Sequence, residues 1–515
     1  MSDAPAAIVE TTSGRIEGAF RKGLYVFRRI PYAAPPVGER RWLPPFPCEP
    51  WAGVRPAKEF GPTALQTPMD VQALIPMEKQ PQSEDCLYLN IWTPGLDGAR
   101  RPVMVWIHGG GFTSGASSWF IYNGRALCRR GNVVVVTINY RLGVLGFLNL
   151  KEITKGDIPA TGNEGLLDQI CALQWVRNNI SNFGGDPNNV TIFGESAGAM
   201  SIGVLLGMPG ARGLFHRAIL QSGAAHHVSS LEQARRVADI FLSVLDIRPD
   251  DAGKLRSLTE EQILNAQAEL IVRARDPALA MDGLPLRPVV DGDVVPQAPI
   301  VAIAGGSADG VPILIGTNLE EWKLFAALDK GLPSLDEAGL VRRCQRFMPG
   351  EQVARLVAAY RQARSRHGLP VSPGELFVAI QSDRIFRMPA IKLAEAHSRR
   401  EQPTYMYLFN WVSPLLGGML GACHALELGF VFGILDDNFS GSGEEAQALS
   451  GKMQDAWAAF AHRGDPSCQS LGRWKHCKER RETMILGKQC LVAEAPYDEE
   501  RQAWEAVGDS VLGSF

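Results

Sequence analysis

Apolar positions along the chain gather into short runs separated by stretches of helical period. Leu87–Trp92 (LYLNIW), Val103–His108 (VMVWIH), Asn132–Tyr140, Arg217–Gln221 (RAILQ), Val311–Ile315 (VPILI) and Thr404–Phe409 (TYMYLF) are all of strand length. Another run begins at Val190 and breaks at Gly194. Runs this apolar suit strands covered on both faces. Between them, Leu166, Ile170, Leu173, Val176 and Ile180 recur at steps of three and four, which marks one face of a helix. Phe183-Gly184-Gly185-Asp186-Pro187 supplies its stop and a turn. Strand, helix, strand, helix, strand in this order predicts an α/β fold with a large, mostly parallel sheet and helices on both faces.

The flanking stretches read differently. Ile8–Val54 is rich in proline, which forbids regular ladders, so edge hairpins followed by an extended surface segment are expected. Phe60–Pro81 has no clean period and reads as a mobile flap, and Arg141–Leu148 (RLGVLGFL) reads as a glycine-broken connector. Leu231–Ala274 and Ser334–His397 read as helical, cap-like insertions, Met453–His462 as a helix, and Lys475–Arg481 as a solvated basic loop. Without an internal repeat, low-complexity linker or composition break, residues 1–515 read as one domain carrying insertions near 231–274 and 334–397.

Composition narrows the function classes. With 45% hydrophobic residues the chain can bury a large core, and a formal net charge of −3 offers no footprint for nucleic acid or a polybasic membrane contact. No apolar run approaches a membrane span, since Val133–Ile138 is only strand length. The opening MSDAPAAIVE has neither a basic nor an apolar signal region. Nine cysteines, without C-x-x-C spacing, fit reduced thiols in a cytoplasmic protein better than a disulfide framework or a zinc site. No metal or cofactor motif is present, and a monomer or weak homo-oligomer is expected.

Candidate chemistry centres on Val190–Met200 (VTIFGESAGAM). A strand that turns sharply into a helix needs small residues on both sides, which Gly194 and Gly198 provide. Ser196 then stands at the apex of a G-x-S-x-G nucleophile elbow, at a helix N-terminus suited to an oxyanion. His108-Gly109-Gly110-Gly111-Phe112 follows a strand and matches the oxyanion loop of α/β-hydrolases. A hydroxyl needs a base to become a good nucleophile. Of the histidines beyond Ser196, His424 alone follows a late strand in a glycine-rich loop, whereas His397 lies in a charged helix, His462 at a helix end and His476 in the basic run. The acid belongs at a strand end between serine and histidine, where Glu320 and Glu321 both qualify and spacing does not choose between them.

These motifs resemble those of the type-B carboxylesterases, the family that includes cholinesterases and the bacterial para-nitrobenzyl esterases. The resemblance runs through IPYAAPPVG, Ser83–Asn90 (SEDCLYLN), HGGGF, NYRLGVLGF, Gly165–Gln169, NFGGDP, FGESAGA, Gln221–Gly223 and HALELGFVFG from His424. It implies an α/β-hydrolase fold with the catalytic site at the bottom of a gorge. It also implies a triad of Ser196, Glu321 and His424, and an oxyanion hole at the N–H groups of Gly110, Gly111 and Ala197. Each such donor contributes about 2.7–4 kcal/mol to the transition state.

Two departures matter. Secreted members pair the Cys86 position with a cysteine before the flap, but Gly61–Thr67 has none and Cys48 is out of register. Val71–Pro81 also lacks the flap aromatic that holds choline in cholinesterases. The resemblance therefore points to a reduced, bacterial-type enzyme without choline selectivity. Glu195 reads either as an electrostatic tuner or as a structural residue under the elbow, and Ser222 either as a bond near the triad or as a satisfied core hydroxyl. His226 and His227 read as exposed-loop residues, with pocket lining as the alternative.

The activity these expectations describe is hydrolysis of small to medium carboxylic esters with water through an acyl-enzyme. The same triad could instead serve an amidase, thioesterase or lactonase, or the chain could be a non-catalytic cholinesterase-like binding module.

Overall fold

A computed structural model describes residues 7–67, 74, 78–274 and 283–513. Eleven strands form its central sheet: β1 (Ala19–Arg21), β2 (Leu24–Pro31), β3 (Tyr88–Thr93), β4 (Arg101–Ile107), β5 (Val134–Ile138), β6 (Gly185–Glu195), β7 (Arg217–Gln221), β8 (Ile313–Asn318), β9 (Thr404–Phe409), β10 (Glu482–Leu486) and β11 (Leu491–Glu494). Their spatial order is β11-β10-β9-β8-β7-β6-β4-β5-β3-β2-β1. The ladders from β5 through β4 to β10 are parallel, and antiparallel strands occupy both edges. The fold is that of an α/β-hydrolase, with the sheet mixed rather than uniformly parallel.

The inner strands read as unbroken apolar runs because each feeds two cores. Alternate residues Val103, Val105 and Ile107 of β4 enter one core with Val134, Val136, Ile192 and Leu220. Met104 and Trp106 enter the other with Val135, Phe193, Ile219 and Leu314. Helix α1 (Glu164–Asn179) and helix α2 (Ala197–Leu205) cover the first face through Leu166, Leu173, Met200 and Ile202. A long helix, Glu444–Arg463, covers the second through Leu449, Met453, Trp457 and Phe460.

Several sequence expectations shift at their boundaries. Arg141–Leu148 is not simply a connector, because Gly143–Phe147 forms a short helix with all five residues buried. The strand expected at Val311–Ile315 runs on to Asn318, and the helix expected to begin at Met453 begins at Glu444. The N-terminal hairpins are present: Ile8–Thr11 pairs with Gly14–Glu17, and β1 pairs with β2. Much of the expected flap between Phe60 and Pro81 lies outside the described residues.

The segment Leu231–Ala274 is tied to the rest of the chain by buried charge. Arg41 Nε and Nη2 donate to Glu84 at 2.7 and 2.5 Å, and its Nη1 donates to the carbonyls of Leu255, Arg256 and Leu258. Glu84 N–H donates in turn to Glu260 on helix α3 (Glu260–Ala274). Gln267 of α3 accepts from Val144 N–H. These bonds set α3 against the short helix Gly143–Phe147. The stretch read as a second helical segment contains helices Glu337–Cys344, Gly350–Arg366, Pro373–Ser382 and Met388–Ser398, with a π-helical turn at Asp383–Arg387.

Candidate active site

Strand β6 delivers Ser196 to the C-terminal edge of the sheet. Glu195 is in register with Gln221 of β7, and Ser196 N–H donates to the Gln221 carbonyl at 2.9 Å. Ser196 has φ 53° and ψ −126°, a backbone region that L-residues rarely occupy. The surroundings enforce it. A Cβ at Gly194 would lie 2.7 Å from the Ile107 carbonyl oxygen, and one at Gly198 would lie 2.0 Å from the same atom. Only glycine lets the strand and helix both pass so close to β4. Helix α2 begins at Ala197, whose N–H occupies a position with no intrahelical acceptor.

The loop after β4 meets the elbow from the other side. Gly110 and Gly111 take φ of +116° and +59°. A Cβ at Gly109 would come within 3.0 Å of Ser196 Cβ, so the loop backbone lies directly against the serine. The Gly110 carbonyl accepts from Thr113 and Ser114 N–H, which closes the turn. Among the described residues, the N–H groups of Gly110 and Gly111 have no protein acceptor. Both glycines and Ser196 line one cavity of about 860 Å³, whereas Ala197 is fully buried beneath it.

His424 reaches this cavity from the loop after β9. Its Nδ1 lies 2.7 Å from Glu321 Oε2, and Glu321 Oε1 accepts from Asn318 N–H at 2.7 Å. The end of β8 thus holds the carboxylate still. Geometry separates the two glutamates that spacing left open, since Glu320 pairs with Lys323 at 2.6 Å and accepts from Ala422 N–H. On the other side, His424 Nε2 lies 3.0 Å from Glu195 Oε1, but that oxygen makes no aligned hydrogen bond. Ser196 Oγ and His424 share the cavity without a hydrogen bond between them.

The electrostatics form one coupled cluster. Burial disfavours the imidazolium of His424, but the carboxylates of Glu195 and Glu321 outweigh it and push the group upward. Burial also pushes Glu195 upward, against the pull of His424. The 3.0 Å approach places the Glu195 carboxyl where its charge would act on His424.

Sequence reasoning missed three neighbours. Glu427, fully buried, accepts from Gln221 and from Asn318 at 3.0 and 2.7 Å. Phe325 and Phe386 pack on the His424 ring at 5.2 and 4.8 Å between centroids. The position of Glu427, three residues after His424, was the one available signal. Nothing local marked Phe386, which arrives from the π-helical turn.

Other expectations are corrected. His227 is fully buried and bonded to the Ile385 carbonyl, and the ring nitrogens of His226 are buried, so neither is an exposed-loop residue. Neither lines the cavity. His397 does lie in a helix, Met388–Ser398, but its ring is buried against Thr404. Ser222 is not a satisfied core hydroxyl. It sits at φ 53° with a buried Oγ that has no partner among the described residues. All nine cysteines are free. Among the described residues, no His, Cys, Asp and Glu cluster could hold a metal, and no helix is long and apolar enough to cross a membrane.

Comparison with known proteins gives a consistent picture. The model of the carboxylesterase family matches residues 5–504. Para-nitrobenzyl esterase of Bacillus subtilis is 40% identical over 96% of this chain and 98% of its own length. Phenmedipham hydrolase of Pseudarthrobacter oxydans is 36% identical over 91% of this chain and 92% of its own. The crystal structure of carboxylesterase EST55 from Geobacillus stearothermophilus superposes with a TM-score of 0.85 at 41% identity, covering 97% of this chain and 100% of that one.

Proposed function

Because the chain belongs to the carboxylesterase family, we propose that it hydrolyses carboxylic esters through an acyl-enzyme on Ser196. His424 Nε2 takes the hydroxyl proton as Ser196 Oγ bonds to the ester carbonyl carbon. The carbonyl oxygen becomes an oxyanion, held by the N–H groups of Gly110, Gly111 and Ala197. As the tetrahedral intermediate collapses, the bond to the alcohol oxygen breaks and His424 returns its proton to that oxygen. Water then repeats the sequence, and the acid leaves with Ser196 restored. Glu321 orients the imidazole and stabilises its charged form. The reaction needs only the ester and water.

The observation that carries this reading is the 2.7 Å contact of Glu321 with His424 Nδ1. It commits Nδ1 to donating, so Nε2, which lies 3.0 Å from Glu195 in the cavity that Ser196 also lines, is the nitrogen that takes the serine proton. The test is hydrolysis of para-nitrophenyl esters from acetate to decanoate, beside Ser196→Ala. Wild-type turnover that vanishes in the variant, with organophosphate labelling lost in parallel, is expected. A folded wild type with no turnover and no labelling would refute the proposal.

A further inference from the structure

The cavity opens through a rim that is unusually apolar for a surface. Phe120 and Val272 both line it, yet they are 69% and 62% exposed. Phe120 comes from the turn Phe120–Tyr122 and Val272 from the last turn of α3, so two unconnected elements contribute. A third element adds to them. Leu415 lines the cavity, and its loop carries Val412, Leu416 and Met419 at 53%, 52% and 73% exposure. That loop is fastened to another cavity-lining segment by Ser413 Oγ, which donates to the Phe439 carbonyl. Single exposed apolar residues are ordinary, whereas a group continuous with a binding cavity marks a contact surface. No lysine or arginine lines the cavity among the described residues, and its carboxylates besides Glu195 are Glu78 and Asp436.

Resting on the esterase reading, we infer that the rim is a binding surface for the uncharged apolar arm of a substrate ester that outgrows the cavity. Phe120 and Val272 are then the specificity-determining residues for chain length. The occupant is the ester itself. Its reacting carbonyl sits between Ser196 and the glycine loop, and its arm passes the apolar lining onto the rim. Burying a methylene there strengthens binding by up to about four-fold. A short ester ends inside the cavity and does not meet Phe120 or Val272.

The experiment compares the wild type with Phe120→Ser, Val272→Ser and the double variant. Substrates are para-nitrophenyl acetate, butyrate, octanoate and decanoate, which vary the acyl arm, and alkyl acetates, which vary the alcohol arm. All are held below their aggregation concentrations. In the double variant, kcat/KM for the longest ester of one series is expected to fall about ten-fold, mainly through KM, as one or two buried methylenes are lost. Acetate should stay within about two-fold of wild type. Phe120→Leu, which keeps an apolar side chain, should retain the long-chain preference. Equal losses for short and long esters, no loss in either series, or a Leu variant as weak as the Ser variant would each overturn the rim proposal. A wild type without any ester turnover would overturn the esterase reading instead, and this is distinguishable from turnover without a chain-length response.

Discussion

Replacing Gly198 with alanine sets two physical effects against each other. Gly198 lies in the first turn of α2, and alanine stabilises a helix by about 1 kcal/mol relative to glycine. Local propensity therefore favours the change. The tertiary contact opposes it, because the new Cβ would lie 2.0 Å from the Ile107 oxygen and 2.9 Å from the His108 oxygen. A real Cβ does not come within 3.0 Å of such an oxygen, so α2 and the end of β4 must separate by about 1 Å or more. Neither side yields easily. Ile107 is paired with β5 and β6 on its two flanks, and Ser196 immediately precedes α2. Overpacking of this kind costs about 1–3 kcal/mol, which the helix gain offsets only in part. The larger effect falls on catalysis. A shift of about 1 Å between the serine and the glycine loop costs on the order of 10²-fold in rate. The assay is kcat/KM on para-nitrophenyl acetate, with organophosphate titration to count competent sites and thermal unfolding to count folded ones. Gly210→Ala is the control, since its Cβ meets nothing nearer than Ile170 Cδ1 at 3.7 Å. A Gly198→Ala enzyme that titrates fully and keeps kcat within about two-fold would refute this account of the elbow.

Three further outcomes are expected. Glu321→Gln should lower kcat by about 10⁴-fold with little change in melting temperature, because glutamine still offers Asn318 N–H an acceptor; a loss below about ten-fold would remove Glu321 from the mechanism. Glu195→Gln should move the acid limb of the kcat/KM profile to lower pH. His424 works as a base only above its pKa, the Glu195 carboxylate raises that pKa, and the amide removes the raise; an unmoved or upward-shifted limb would contradict the coupling. Asp168→Asn should destabilise the chain by about 3–5 kcal/mol in denaturant unfolding, since it strands the buried Arg141, which donates to Asp168 at 2.7 Å. Asp250→Asn, in the exposed pair with Lys155, should leave the unfolding midpoint where it was.

Local chemistry made much of this molecule legible before any coordinates. The inner strands declared themselves because burial on both faces demands unbroken apolar runs. The elbow declared itself because two glycines must flank a residue held at positive φ. HGGGF did so because Gly110 and Gly111 take backbone angles that favour glycine. Boundaries were less legible. The short helix Gly143–Phe147 hides behind its glycines, since its stability comes from burial rather than propensity. The residues around the imidazole were decided by tertiary structure. Glu320 and Glu321 are adjacent and chemically alike, and only the approach of β8 to the His424 loop gives one to the imidazole and the other to Lys323. His226 and His227 sit in a polar-looking loop, yet packing from distant segments buries His227 and the ring nitrogens of His226. Phe386, Glu427 and the cavity-lining Phe120, Val272 and Leu415 come from segments far apart in the chain. Sequence spacing carries periodicity and turn chemistry, which are local. Which side chains finally share a cavity depends on long-range packing, and no window of the sequence contains it.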